Sequence, residues 1–184
     1  LTEKNCRHCV NSLSLDFVKD TDINDTEEAI YAGGCFWGVQ YLLDQTPGVL
    51  YTEVGYTGGQ QPSPTYESVC TRVTGHLEAI RVLYNPAVID YQHLTQRFLE
   101  IHDPSQQDGQ GPDLGAQYLS AIFYYNDQQK ECAQSLLTTL KRKGLKIATK
   151  IEPTTIFWPA EEDHQSYYQK TGKTPYCHIY TQRF

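Results

Sequence analysis

Ala29-Ile30-Tyr31-Ala32-Gly33-Gly34-Cys35-Phe36-Trp37-Gly38-Val39-Gln40-Tyr41-Leu42-Leu43 compresses a strand, a turn and a helix into one stretch. The apolar run before the glycines reads as a strand over 28–33, and the run after Cys35 as a helix over 36–45. A thiol at a strand-to-helix turn faces the positive end of the helix dipole, which favours thiolate and lowers the cysteine pKa. Two large aromatics follow at once, so the thiol stands beside an apolar surface. That combination suits a nucleophile acting on a small substrate with an apolar end.

Outward from this stretch, strands and helices alternate. Gly48 to Tyr56 reads as a strand, and Thr65 to Arg72 as a short helix capped by Ser63 or Thr65. His76 to Tyr84 alternates strongly, with Leu77, Ala79, Arg81 and Leu83 on one face and His76, Glu78, Ile80 and Val82 on the other. Glu78 therefore shares a face with aliphatic residues, an odd place for a carboxylate. An amphipathic helix is expected over 90–101, then a long loop over 102–117, which marks a functional segment. A strand over 119–125, a helix over 127–143, a strand over 151–156 and a helix over 161–170 complete the pattern before an irregular tail. Short connections between alternating elements give an α+β or α/β sandwich.

The chain has 184 residues, enough for one domain with its own core. Hydrophobic residues make up 39% and charged residues 20%, an ordinary soluble composition. Net charge is −7, and no basic run exceeds Lys141-Arg142-Lys143, which argues against nucleic acid or an anionic membrane as partner. No apolar run reaches membrane-spanning length, and the amino terminus has no signal-peptide pattern. A cytoplasmic protein is expected; because the sequence begins at Leu1, a periplasmic or secreted one stays open. Six cysteines, at 6, 9, 35, 70, 132 and 177, are too sparse for a disulfide-built scaffold.

Separated blocks carry a family pattern: Gly34-Cys35-Phe36-Trp37-Gly38, Gly55-Tyr56-Thr57-Gly58-Gly59, Gly75-His76-Leu77-Glu78, His102-Asp103-Pro104, the segment Asp113 to Tyr118, and Ala160-Glu161-Glu162-Asp163-His164-Gln165. In these blocks and in their order the chain resembles the A class of peptide methionine sulfoxide reductases, over roughly residues 27–178. The resemblance implies an α+β fold: a mixed sheet with flanking helices, a ferredoxin-like α/β plait core with additional elements. It also implies reduction of the S-epimer of methionine sulfoxide, in peptides or free. Residues 1–26 are then an extension and 27–184 the catalytic domain.

The implied roles agree with chemical need. Reducing a sulfoxide takes a nucleophile at sulfur and a proton for the departing oxygen. Cys35 is the nucleophile by its own setting, and the resemblance makes Glu78 the proton donor. Desolvation on an apolar strand face raises its pKa and keeps it protonated. Tyr56 and Tyr118 match family tyrosines that hold the sulfoxide oxygen, and Asp113 an aspartate of the active-site loop that orders water or backbone. Phe36 and Trp37 match the wall that receives the S-methyl group. Each residue taken alone has a plainer reading: a buried thiol, core aromatics, a paired carboxylate. His76, His102 and His164 lack a recurring ligand spacing and read as structural hydrogen-bonders or loop residues, so no metal and no cofactor are expected.

Attack leaves a sulfenic acid on Cys35, which a second thiol resolves. By resemblance Cys177 is the resolving residue: it follows Tyr176, as in the family's tail, and an irregular tail can swing toward Cys35. The chain departs from relatives with a glycine-rich tail and a further cysteine, turning to His178-Ile179-Tyr180. Thioredoxin is the implied reductant, oxidised proteins or free methionine sulfoxide the substrates, and a monomer is expected. Cys6-x-x-Cys9 lies outside the resemblance. It reads as half a zinc site without its other half, as a dithiol relay that competes with Cys177, or as a bland pair. Cys70 and Cys132 read as structural. Two other readings stand beside sulfoxide reduction: general thiol–disulfide or peroxide reduction, and a non-catalytic binding relative. The acid at Glu78 separates the first from them, since disulfide exchange needs no such donor.

Overall fold

Leu77–Tyr84 forms the strand that its alternation predicts, and the sheet is built around it. The computed structural model describes residues 25–184, so the Cys6/Cys9 pair lies outside the described residues. In chain order the strands are β1 (Glu27–Gly33), β2 (Val49–Thr57), β3 (Leu77–Tyr84), a two-stranded hairpin of β4 (Gly109–Gln110) and β5 (Asp113–Leu114), β6 (Ser120–Tyr124), β7 (Lys150–Pro153) and β8 (Trp158–Pro159). The helices are α1 (Phe36–Leu43), α2 (Tyr66–Cys70), α3 (Tyr91–Glu100), α4 (Asp127–Arg142) and α5 (Tyr167–Thr171). The main sheet runs β7-β6-β1-β3-β2-β8. Its central order β6-β1-β3-β2, antiparallel throughout, with α1 after β1 and α3 after β3, is the split β-α-β plait. β7 extends one edge in parallel and β8 the other antiparallel, so the sheet is mixed, as expected.

Alternation along the strands divides the interior. One face of the sheet contributes Ala29, Tyr31, Ile80, Val82 and Ile122 to the main core, against Val39 and Leu43 of α1, Leu94 and Phe98 of α3, and Ala133, Leu137 and Leu140 of α4. The other face contributes Ile30, Ala32, Ala79, Ala121 and Phe123 to a smaller cluster closed by Leu77 and Phe157. β1 is thus buried on both faces, which is why its apolar run is continuous. Tyr31 is fully buried, stacks on Phe98 at 4.5 Å and bonds Thr95 Oγ1 at 2.9 Å, so its polar atom is satisfied.

Two expectations shift at the C-terminal side. The strand over 151–156 ends at Pro153, and the chain returns instead as β8 on the edge of β2. Gly55 permits this, because a Cβ there would lie 2.3 Å from the Trp158 carbonyl oxygen. The helix over 161–170 is broken into a 3₁₀ turn (Glu162–His164) and α5, with Ser166 left-handed at φ 53°. The break frees Gln165, whose amide accepts from Val54 N–H (3.0 Å) and donates to the Val54 carbonyl (2.9 Å). A side chain here completes the edge of β2 where no strand residue pairs.

The tail beyond α5 has no regular structure, yet it is tied down. Thr181 N–H donates to the Glu100 carbonyl (2.7 Å), Arg183 Nε to the Leu99 carbonyl (3.0 Å), and Arg183 N–H to Glu100 Oε1 (2.9 Å). The first two satisfy backbone carbonyls that α3 leaves open at its C-terminus, and the third reaches the Glu100 side chain. Arg97 and Lys143 cover the Tyr180 and Phe184 rings.

Candidate active site

Cys35 occupies the N-cap position of α1, and its carbonyl accepts from Gly38 N–H at 3.2 Å. Gly34 before it has φ +97°, and a Cβ there would meet Gln110 Cβ at 2.5 Å. Glycine is therefore required both by conformation and by space. The turn aims Cys35 inward: the residue is 6% exposed.

Glu78 approaches from β3, 2% exposed, with Oε2 accepting from Phe36 N–H at 3.1 Å. This bond joins the carboxyl to the residue next to the thiol. Burial first, and then the neighbouring Cys35, push the Glu78 carboxyl well above the usual carboxylate range; the Phe36 N–H opposes them without winning. The register sets Tyr56 of β2 directly opposite Glu78. Paired residues share a face, so both point to the same side of the sheet.

Tyr56 is not a free donor. Its hydroxyl donates to Glu161 Oε2 at 2.8 Å, while Glu161 Oε1 accepts from Tyr66 N–H at 2.8 Å. Burial would raise Glu161, but the Tyr66 N–H, its own N–H and the Tyr56 hydroxyl bring it below the ordinary range. An ionised Glu161 thus fixes the Tyr56 ring and the start of α2. Phe36 packs with Val54, Tyr56, Val69 and Ala160, with Trp37, Tyr66 and Trp158 around them. Trp37 Nε1–H donates to His164 Nδ1 at 3.2 Å, and its indole stacks on Tyr167 at 3.9 Å. Tyr118, half-buried at the end of a 3₁₀ turn (Ala116–Tyr118), faces the same place: burial, then Glu78 and Cys35, raise its phenol.

Cys177 reaches the site from the tail. Its Sγ, the Cys35 Sγ and an Asp113 carboxylate oxygen all lie within 4.8 Å of one another, and both thiols are free. The tail needs no swing to bring the sulfurs together. This proximity reverses the expectation for Cys35. The hydrogen bond it shares with Cys177, then burial, raise its thiol well above the cysteine range, and the Trp37 N–H at the helix start only partly opposes them. The helix end is outweighed by a second thiol and by dry surroundings. Asp113, on the β4–β5 hairpin, also accepts from Tyr176 O–H at 3.2 Å, so it anchors the residue before Cys177.

His76 and His102 are structural, as expected. His76 Nε2–H donates to the Gln61 carbonyl and Nδ1 accepts from Gly59 N–H. His102 Nδ1–H donates to the Phe98 carbonyl and Nε2 accepts from Ser120 O–H. Cys132 packs against the main core. Cys70 ends α2 on the Tyr66 side of the site, half-buried. Sequence reasoning assigned no role to Glu161, Tyr66 or His178, and it read His164, which accepts from Trp37 Nε1–H, only as a structural hydrogen-bonder or loop residue. Glu161 and His164 lay inside a recognised block, which was the available signal.

Residues 27–184 match the family model described as peptide methionine sulfoxide reductase. The peptide methionine sulfoxide reductase MsrA of Nautilia profundicola is 43% identical over 150 residues, covering 82% of this chain and 87% of that protein. Mxr1 from Saccharomyces cerevisiae in its reduced form superposes with a TM-score of 0.79 at 36% identity, over 86% of this chain and 94% of that one. A structure of Mxr1 in complex with Trx2 superposes with a TM-score of 0.57 at 26% identity, over 86% and 92% of the two chains.

Proposed function

This chain belongs to the peptide methionine sulfoxide reductase family, an oxidoreductase family, and we propose that it reduces the S-epimer of methionine sulfoxide through Cys35 with Glu78 as acid. The observation that carries the mechanism is the buried Glu78 carboxyl, held protonated and bonded to the residue beside the thiol. Glu78 gives its proton to the sulfoxide oxygen as Cys35 Sγ attacks the sulfur. The carboxylate left behind takes up the proton that the Cys35 thiol loses. Attack forms an Sγ–S bond to the substrate. The hydroxyl then migrates to Sγ, making an Sγ–O bond as the substrate's S–O bond and the Sγ–S bond break, so methionine leaves and Cys35 is left as a sulfenic acid. Phe36 and Trp37 receive the S-methyl group. Tyr118 donates to the oxygen, and Tyr56 does so when its hydroxyl turns from Glu161.

Cys177 then attacks the Cys35 sulfur, forming a disulfide and releasing water. Support for Cys177 comes from its position within 4.8 Å of Cys35. A thioredoxin dithiol reduces the disulfide, a reading supported by the complex of Mxr1 with Trx2. The test is a single turnover of reduced protein, without external reductant, on a methionine-S-sulfoxide peptide. One methionine per protein and two thiols lost are expected. Loss of thiols without methionine would mean general thiol oxidation instead.

A further inference from the structure

The imidazole of His178 is held between the two ends of the thiol site by contacts that fix its tautomer. One nitrogen, Nε2, lies 2.8 Å from the Gly33 carbonyl oxygen. A carbonyl only accepts, so Nε2 carries the hydrogen. The other nitrogen, Nδ1, then has a lone pair, and it lies 3.1 Å from Cys177 Sγ. His178 is 6% exposed, and its ring packs on α1 where that helix has no side chain. A Cβ on Gly38 would lie 2.3 Å from Nδ1. The second glycine of the Gly34–Gly38 stretch thus makes room for the imidazole. Solvent has little access to the Cys177 sulfur, so the nearest base is this nitrogen.

We propose that His178 is the base of the resolving step, taking the Cys177 thiol proton on Nδ1 as Cys177 Sγ attacks the Cys35 sulfenic sulfur. This rests on the reading of Cys177 as the resolving thiol. The step balances within the site. The S–S bond forms with the electron pair of the former S–H bond, the S–O bond of Cys35 breaks, and the proton held on Nδ1 passes to the departing hydroxide to give water. His178 returns to its starting tautomer, with Nε2–H on Gly33 throughout.

Burial lowers the His178 pKa, while the Gly33 carbonyl and Asp113 act the other way, so the ring is neutral and ready to accept at physiological pH. The titratable groups around it are Cys177 beside it on the tail, Cys35 before α1, Asp113 of β5, and His102 after α3, itself neutral with a pKa lowered to about 3, chiefly by burial. Asp113 lies within 4.8 Å of the Cys177 sulfur but takes its hydrogen bond from Tyr176 O–H, and His102 spends both nitrogens on Phe98 and Ser120, so the 3.1 Å contact with Nδ1 is the hydrogen bond that joins Cys177 to a base.

The experiment follows disulfide formation after one turnover, by quenching and counting free thiols, from pH 6 to pH 9, in wild type, His178→Gln and Cys177→Ser. Gln keeps an N–H for the Gly33 carbonyl and lacks the base. His178→Gln is expected to give its one methionine per protein and then to form the disulfide about 100-fold more slowly near neutrality. Its rate should rise about tenfold per pH unit, because hydroxide must take the proton, while wild type changes little over that range. A wild-type rate in His178→Gln, or slowing with an unchanged pH profile, would overturn the proposal. Cys177→Ser should accumulate the sulfenic acid. If Cys177→Ser instead cycles with thioredoxin, the resolving thiol lies elsewhere and the assignment of Cys177 itself fails.

Discussion

The site has two halves, and they are held by different means. The substrate half hangs on regular elements. Glu78 and Tyr56 are paired by strand register, and Phe36 and Trp37 open α1. The resolving half hangs on irregular chain. Cys177 and His178 are fixed by Asp113 accepting from Tyr176, by the Gly33 carbonyl, and by the tail's bonds to the end of α3. Register is set by many cooperating bonds, whereas the tail's position is the sum of a few separate contacts. Single substitutions should therefore separate the two halves cleanly.

The largest effect is expected at Glu78. Glu78→Gln should slow sulfoxide reduction by about 10²–10⁴-fold, the usual contribution of a positioned acid. The wild-type rate should fall as pH rises through the raised pKa of Glu78, since the protonated form is the donor. In Glu78→Gln that dependence should disappear. A parallel pH profile in the variant would detach the acid from this residue.

A smaller loss is expected from Glu161→Gln, which weakens the hold on the Tyr56 hydroxyl and the Tyr66 N–H. A charged acceptor becomes a neutral one, a difference of about 1–2 kcal/mol, or roughly tenfold in kcat/KM. Disulfide formation after turnover should be unchanged, because Glu161 touches only the substrate half. Slowing of both steps alike would mean that the halves are coupled.

The converse test is Glu100→Ala. It removes the acceptor for Arg183 and Phe184 N–H and loosens the tail. A several-fold slower disulfide step is expected, with an unchanged methionine burst, measured by quenched single turnover. If the burst falls instead, the tail also supports the substrate half.

The smallest effect is on stability. The folded pKa of Glu78 lies above its unfolded value of about 4.3. The stability this confers is full at low pH and is lost as pH rises through the folded pKa. Glu78→Gln should therefore melt higher than wild type at neutral pH, by about 2–4 °C, or about 1 kcal/mol for a domain of this size. The gap should close toward pH 4. The acid would then be kept at a cost to the fold.

The same division governs what was legible in the sequence. β3 and the place of Glu78 among aliphatic residues followed from a two-residue period. α1 followed from apolar spacing and the glycines around Cys35. The pairing of Tyr56 with Glu78 needed strand register, which no local pattern encodes. β8 was missed because two residues show no period, and Gly55 reveals its purpose only once Trp158 lies against it. The helix over 161–170 was misread because Gln165 bonds to β2, more than a hundred residues earlier. His178 looked like a departure from the family's tail, and its position against Gly38 and Gly33 depends on the whole fold. The lowered thiol pKa expected from the helix end was overturned by Cys177, which is distant in sequence and adjacent in space.

The most direct test is single-turnover reduction by the protein, without external reductant, of an equal mixture of the two methionine sulfoxide epimers. Each epimer is resolved chromatographically from pH 5 to pH 9. The expected result is consumption of the S-epimer alone, one equivalent per protein, with a rate that declines toward high pH. In Glu78→Gln the rate should be low and flat. Consumption of the R-epimer, or an undiminished rate in Glu78→Gln, would contradict reduction by Cys35 with Glu78 as the acid.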